Sequence, residues 1–84
     1  MADYRLDISR SAIKELEELP GSVIERVREK IRALSSEPRP PGSKKLRDRR
    51  DWRVRVGDYR ILYTIDDSQR VIDIGAIRHR SKAY

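Results

Sequence analysis

The second half of the chain concentrates arginines together with one histidine and a C-terminal tyrosine. These residues are Arg53, Arg55, Arg60, Arg78, His79, Arg80 and Tyr84. Attack of a ribose 2′-hydroxyl on its own phosphate places negative charge on the non-bridging oxygens and on the leaving 5′-oxygen. Planar guanidinium groups bind such oxygens through two parallel hydrogen bonds. The set therefore indicates phosphodiester chemistry on RNA, with Tyr84 either stacking on a base, donating its hydroxyl or resting on the edge of the fold.

The stretch from Asp51 to Tyr63, DWRVRVGDYRILY, predicts a β-hairpin that brings three of these arginines together. Apolar residues alternate with arginines before Gly57-Asp58, which is typical of a two-residue turn. The turn predicts that Val56 pairs with Tyr59, Arg55 with Arg60, Val54 with Ile61, and Arg53 with Leu62. Like charges directly opposite each other destabilise a strand pair. The cluster therefore indicates an anionic ligand, for which an RNA phosphate is the leading candidate.

The positive charge of the chain is confined to its second half. Residues 1–42 contain eight basic and eight acidic residues, whereas residues 43–84 contain twelve basic and six acidic residues, which accounts for the whole net charge of +6. Such an asymmetry is typical of a surface that binds a polyanion. Lys44, Lys45 and Arg47 precede the hairpin, and we expect them to bind RNA together with Arg53 and Arg80. A solvated loop explains the first three equally well.

Several classes of protein are excluded by composition. The chain has no cysteine and a single histidine, so we expect no disulfide, no metal site and no cofactor, and no glycine-rich phosphate loop is present. It contains neither a signal-peptide pattern nor an apolar run long enough to cross a membrane. We expect one domain over residues 1–84 and a cytoplasmic location.

The first half of the chain predicts a short strand followed by two antiparallel helices. Apolar residues at positions 4, 6 and 8 alternate with charged ones, as in a strand. Ser9 can cap a helix over residues 10–19, which Pro20-Gly21 ends. Ser22 and Glu25 form a capping box for a second helix to about residue 35. The apolar stripes expected in the core are Ala12, Ile13, Leu16, Leu19, Ile24, Val27, Ile31 and Leu34.

The remaining elements complete an α+β fold. A proline-rich loop from Glu37 to Ser43 leads to the basic segment and the hairpin, and a last strand runs from Val71 to about Ile77. That strand is apolar on both sides, which favours a central position in the sheet. The order β-α-α-β-β-β predicts a helical hairpin on one face of a small, mainly antiparallel sheet. We expect the aromatic residues of the hairpin in the core, and a basic face left open.

The chain resembles the RelE/ParE toxins of type II toxin–antitoxin systems over nearly its whole length. The similarity includes the helical hairpin, KLRD at Lys45–Asp48, the WRVRVGDYRILY hairpin and the closing HRSKAY. Resemblance to the RelE branch implies a microbial RNase-like fold and a ribosome-dependent endoribonuclease that cleaves messenger RNA in the A site without a metal. It also implies a cognate RelB-like antitoxin with an acidic segment, a toxin–antitoxin hetero-oligomer, and contact with ribosomal RNA.

Site roles follow from the same resemblance. Arg53 and Arg55 occupy the two basic strand positions, Arg60 matches the arginine that contacts the scissile phosphate, Arg78 matches the proposed general acid, and Tyr84 matches the tyrosine that orients the nucleotide. The strand positions are lysines in the best-known RelE enzymes, and an arginine is a poor base at neutral pH. Either Arg55 therefore acts through electrostatics alone, or another group takes the proton. His79 is the candidate because histidine ordinarily titrates near neutral pH.

Three other functions remain open from the sequence. ParE-type relatives with the same fold inhibit DNA gyrase without cutting RNA, but they generally lack the arginine and tyrosine set. A catalytically silent toxin would have nearly the same sequence. A non-catalytic nucleic-acid-binding module would owe its affinity to phosphate contacts and would release its ligand at high salt.

Overall fold

A computed structural model describes residues 3–46 and 50–82 of the chain. The elements are β1 (Arg5–Ile8), α1 (Arg10–Glu17), α2 (Gly21–Ser36), β2 (Lys44–Lys45), β3 (Trp52–Val56), β4 (Tyr59–Asp66), β5 (Val71–His79) and a 3₁₀ turn (Arg80–Lys82). This order confirms the predicted α+β arrangement and adds one short edge strand, β2. None of the helices in the described ranges has the length and apolar character needed to cross a membrane.

The two helices begin with different hydrogen bonds at their N-termini. Ser9 is extended and its Oγ accepts a hydrogen bond from the N–H of Ala12 at 3.1 Å, so the predicted cap of α1 is confirmed. The predicted capping box of Ser22 is wrong, because α2 already begins at Gly21. There the carbonyl of Pro20 accepts the N–H groups of Val23 and Ile24, at 2.8 and 3.1 Å. Ser22 consequently lies inside the first turn of α2.

The helices bury most of the expected apolar stripe against the sheet. Val27, Ile31 and Leu34 of α2 and Ala12 of α1 are at most 4% exposed. Ile13 was expected in the core and is instead 42% exposed. Successive helical residues are about 100° apart, so the short helix α1 can turn its Ala12 side to the sheet while the neighbouring side chain remains in solvent.

The five strands form one mixed sheet in the order β1-β5-β4-β3-β2. Strand β1 runs parallel to β5, and the other neighbours are antiparallel. The predicted hairpin register is confirmed: Val56 pairs with Tyr59, Arg55 with Arg60, Val54 with Ile61, and Arg53 with Leu62. Strand β5 lies between β1 and β4, which confirms that it is not at the edge.

A β-bulge at Gly75 decides which way the end of β5 faces. Tyr63 pairs with Ile74 and Leu62 pairs with Ala76, so Gly75 is the extra residue. Strict alternation from Ile74 would turn position 78 toward the helices. The extra residue shifts this alternation, so that Arg78 faces away from them. Ile72 and Ile74 share the helix-facing side by ordinary alternation, and the bulge brings Ile77 to the same side. The other side carries Val71 and Ala76 but also Asp73 and Arg78, so the expectation that β5 is apolar on both sides is only partly correct.

The proline-rich loop is fixed to the sheet, although it has no helix or strand, as predicted. The hydroxyl of Tyr63, a residue that is 1% exposed, donates a hydrogen bond to the carbonyl of Pro38 at 2.8 Å. Asp67 accepts hydrogen bonds from Arg39 at 2.8 Å and from the hydroxyl of Tyr4 at 2.6 Å. The loop is thereby attached to β4, to the turn after it and to the residue that precedes β1.

Candidate functional site

Three arginines lie side by side on the face of the sheet opposite the helices. Arg55 of β3 pairs with Arg60 of β4, and Arg60 pairs in turn with Arg78 of β5. Directly paired residues share a face and have Cβ atoms about 4.5–5.5 Å apart. We call Arg55, Arg60 and Arg78 the arginine row. It spans three neighbouring strands, so the fold presents several guanidinium groups toward one place.

The surroundings of the arginine row are partly basic and partly apolar. Arg53 lies two residues before Arg55 on the same face, between its partners Leu62 of β4 and Lys44 of β2. Lys44 therefore joins this face. Lys45 pairs with Trp52 and lies on the other side of the sheet, so the structure does not bring it together with the row.

Arg60 is surrounded by other positive charges. Burial lowers its pKa, and the positive charges of Arg55, Arg53 and Arg80 lower this pKa further, whereas Asp58 has the opposite effect. The guanidinium nevertheless stays charged at neutral pH, because an arginine pKa starts above 12. Within residues 3–46 and 50–82, no carboxylate lies within ion-pair distance of Arg55 or Arg60. A bound anion would relieve the repulsion between these charges.

The two cations that follow on the chain have carboxylate neighbours. Arg78 Nε lies 3.3 Å from Glu15 Oε2, and Arg80 Nε lies 4.0 Å from Asp58 Oδ1. The backbone N–H of Arg80 also donates to the carbonyl of Asp58 at 2.7 Å. This bond to the hairpin turn ends the strand, and Arg80 begins the 3₁₀ turn. Arg80 therefore does not continue the extended backbone of β5.

His79 lies on the opposite side of the sheet from the arginine row. It pairs with Tyr59, and the two rings meet edge to face with centroids 5.4 Å apart. Its Nδ1 is 3.0 Å from Ser81 Oγ and accepts the N–H of Ser81 at 3.3 Å. In the neutral ring the proton is consequently on Nε2. The structure thus separates the one imidazole of the chain from the arginines it was expected to assist.

Comparison with known proteins identifies the family. The family model of the ParE toxin of type II toxin–antitoxin systems (parDE) matches residues 6–84 of the sequence. The chain belongs to the ParE toxin family. Expected membership in the RelE/ParE superfamily is thereby confirmed, and this protein is a toxin of a type II toxin–antitoxin system with a RelE-like fold.

Similar proteins are archaeal and bacterial. The toxin is 31% identical to the protein RelE1 of Methanocaldococcus jannaschii, over 96% of this chain and 94% of that protein. It is also 31% identical to a chain of the archaeal RelE–RelB complex from Pyrococcus horikoshii OT3, with a TM-score of 0.84 and coverage of 96% and 99%. A chain of the toxin–antitoxin complex RelBE2 of Mycobacterium tuberculosis is 32% identical, with a TM-score of 0.82 and coverage of 93% and 99%.

Two site residues expected in this toxin, Arg47 and Tyr84, lie outside the described residues. Within the described residues, the sequence reasoning missed two features, the bulge at Gly75 and the contact of Glu15. Gly75 in the middle of a strand is a recognisable sign of a bulge, and reading it would have shown which face position 78 takes. Glu15 gave no signal, because an acidic residue on a short amphipathic helix is ordinarily solvated. Its contact with Arg78 becomes visible only when α1 is placed against β5.

Proposed function

We propose that this toxin is an endoribonuclease that cleaves messenger RNA in the A site of the ribosome. The observation that carries the proposal is the arginine row. Three guanidinium groups from three strands face one side of the sheet in adjacent positions, although like charges in such positions destabilise the unliganded fold. A phosphate with its attacking and leaving oxygens offers the negative charge that this arrangement lacks.

In the proposed reaction the ribose 2′-oxygen attacks its own phosphorus and the bond from phosphorus to the 5′-oxygen breaks. The products are a 2′,3′-cyclic phosphate and a free 5′-hydroxyl, so the proton lost by the 2′-hydroxyl is balanced by the one gained at the 5′-oxygen. Arg55 and Arg60 bind the non-bridging oxygens, on which charge develops. Arg78 stabilises the leaving 5′-oxygen, and Tyr84 orients the nucleotide. Donors fixed in such positions are worth about 3–4 kcal/mol each in other enzymes.

The placement of His79 favours the electrostatic alternative for Arg55. Since the imidazole lies on the helix-facing side, it is not positioned to take a proton from a nucleotide bound to the arginine row. Lys44, Arg53 and Arg80 extend the basic surface on either side of the row. We assign them to the phosphates that flank the scissile one, since their contribution is charge and needs no particular protonation change.

A cognate antitoxin is part of the proposal. Solved relatives of this fold include RelE–RelB and RelBE2 complexes, and the uncompensated charge of Arg55 and Arg60 fits an acidic segment that folds on the toxin. We propose that a RelB-like antitoxin covers the arginine row in a toxin–antitoxin hetero-oligomer. Such a segment would compete directly with RNA for the same guanidinium groups.

The test is primer extension on a messenger RNA bound to 70S ribosomes, with the same RNA free in solution as a control. The proposal predicts discrete cuts in A-site codons, which require ribosomes and disappear with Arg60→Ala and Arg78→Ala. Arg32→Ala is the matched control, because Arg32 is an exposed arginine of α2 on the other side of the fold. Cuts of equal strength in Arg60→Ala would contradict the assigned role of the row.

Inhibition of DNA gyrase is the second candidate, because the matching family model is that of ParE. ParE-type toxins, by the resemblance described above, act on gyrase without cutting RNA. Loss of supercoiling by gyrase with intact ribosome-bound RNA would establish this function. If the protein neither cuts RNA nor inhibits growth on expression, it is a silent toxin or a binding module.

A further inference from the structure

Beyond the end of β1, the side chains of Ser9 and of a residue of α1 form hydrogen bonds with the backbone of β5. Strand β1 covers β5 only from Val71 to Ile74. Beyond that point Ser9 Oγ donates to the carbonyl of Gly75 at 3.1 Å, and Glu15 Oε1 accepts the N–H of Ile77 at 3.0 Å. The second oxygen of Glu15 meets Arg78. One carboxylate thus holds the backbone of β5 and the side chain of the next residue together.

The contact between Glu15 and Arg78 involves only the Nε–H of the guanidinium. Glu15 Oε2 accepts from Arg78 Nε at 3.3 Å, so the two terminal NH₂ groups of Arg78 stay available for a substrate. The side chain of Glu15 is 27% exposed and that of Arg78 is 49% exposed. Glu15 is therefore the more enclosed partner, anchored to the backbone, and Arg78 is the more accessible one.

The charge of Glu15 also addresses the repulsion within the row. Arg78 is paired with Arg60 across β4 and β5, and a free arginine side chain in that position would turn away from its neighbour. Glu15 binds β5 at the edge that faces away from β4, so its carboxylate fixes the Arg78 guanidinium on the side away from Arg60 and offsets part of the repulsion.

We propose that Glu15 is a positioning residue that holds Arg78 in the orientation required for RNA cleavage. The inference rests on the proposed function and goes beyond it, because it assigns a role to a residue on a helix that lies outside the arginine row. Glu15 touches no substrate. It acts through Arg78, so its loss lowers the rate of the bound complex and leaves binding of the ribosome and messenger RNA unchanged.

The variant Glu15→Gln separates this role from a structural one. The amide oxygen of glutamine can still accept the N–H of Ile77, but the negative charge beside Arg78 is gone. Glu18→Gln is the matched control, because it makes the same charge change on the next turn of the chain, in the same surface groove. Amide hydrogen exchange at Ile77 serves as the structural check, with protection retained in Glu15→Gln and lost in Glu15→Ala.

Cleavage is measured under single-turnover conditions on messenger RNA bound to 70S ribosomes, over a range of toxin concentrations. Glu15→Gln is expected to lower the rate at saturating toxin about tenfold, since small misplacements of a catalytic group cost up to about 100-fold. The half-saturating concentration stays unchanged, and Glu18→Gln cleaves like the wild type. In NMR spectra the Arg78 Nε–H exchanges slowly in the wild type and rapidly in Glu15→Gln.

The possible failures are distinguishable. A wild-type toxin that does not cut would overturn the proposed function and, with it, the role of Glu15. A wild-type toxin that cuts while Glu15→Gln cuts equally fast would overturn the positioning role alone. The same conclusion holds if the rate falls while the Arg78 Nε–H signal is unchanged, or if only the half-saturating concentration rises.

Discussion

Replacing Arg60 by methionine should stabilise the free toxin and strongly reduce the rate of RNA cleavage. Methionine keeps an unbranched apolar stem and removes the charge that faces Arg55 on one side and Arg78 on the other. Like charges in paired strand positions cost about 0.2–1 kcal/mol each. The Arg78 charge is partly offset by Glu15, and solvent screens both pairs, so we expect a net gain of about 0.5–1 kcal/mol.

The assay is thermal unfolding in low salt, with cleavage of ribosome-bound messenger RNA measured in parallel. For a domain of this size, 1 kcal/mol corresponds to about 4–8 °C, so the melting temperature of Arg60→Met should rise by roughly 2–8 °C. At 1 M salt the screening length is about 3 Å and the gain should vanish. Cleavage should fall by about 10²–10³, the cost of losing one donor to a transition state.

Arg32→Met is the matched control, because it removes the same charge from an exposed position of α2, away from the row. Its melting temperature should not depend on salt more strongly than that of the wild type. The reasoning is refuted if Arg60→Met melts below the wild type in low salt, or if its gain persists at 1 M salt. The first result would mean that contacts made by the Arg60 side chain outweigh the repulsion. The second would mean that the gain comes from the apolar methionine and not from removal of a charge.

Three further predictions concern other parts of the fold. Tyr63→Phe should lower the free energy of unfolding by about 1–2 kcal/mol in denaturant titrations, because the carbonyl of Pro38 loses its donor. The hydrogen bond from Arg39 is the main cause that lowers the pKa of Asp67 below 3.8. The contact between Arg39 and Asp67 therefore stabilises the fold above that pH, and the stabilisation is lost as the pH falls through the pKa of Asp67 in the folded state. Asp67→Asn should therefore flatten the decline in melting temperature between about pH 5 and pH 3; an unchanged decline would contradict it. His79→Ala should cleave ribosome-bound RNA at the wild-type rate, and a large fall in this rate would mean that His79 takes part in the reaction.

The hairpin was predictable because its register depends on local information. A two-residue turn at Gly57-Asp58 leaves one way to pair the flanking strands, and every pair from Val56 to Arg53 follows from it. The cap at Ser9 was predictable for the same reason. These features need a few neighbouring residues and no knowledge of the rest of the fold.

Features that depend on distant contacts were not predictable in this way. Ser22 has the spacing of a capping box, but the break at Pro20 already supplies the carbonyl that starts α2. Ile13 fits an apolar stripe, yet the eight-residue helix α1 touches the sheet along a narrower strip than the stripe covers. The ion pair of Glu15 joins residues 63 positions apart, and no local pattern encodes it.

The position of β5 has a consequence for the synthesis of the toxin. Its residues follow those of the other four strands, yet it provides three core isoleucines, pairs with both β1 and β4, and carries Arg78. A chain that is still being translated therefore lacks the strand that joins its first strand to its hairpin, and its early segments cannot close the sheet. The arginine row is assembled only when β5 has emerged, so the nascent toxin cannot bring its three arginines together while that strand is still inside the ribosome that makes it.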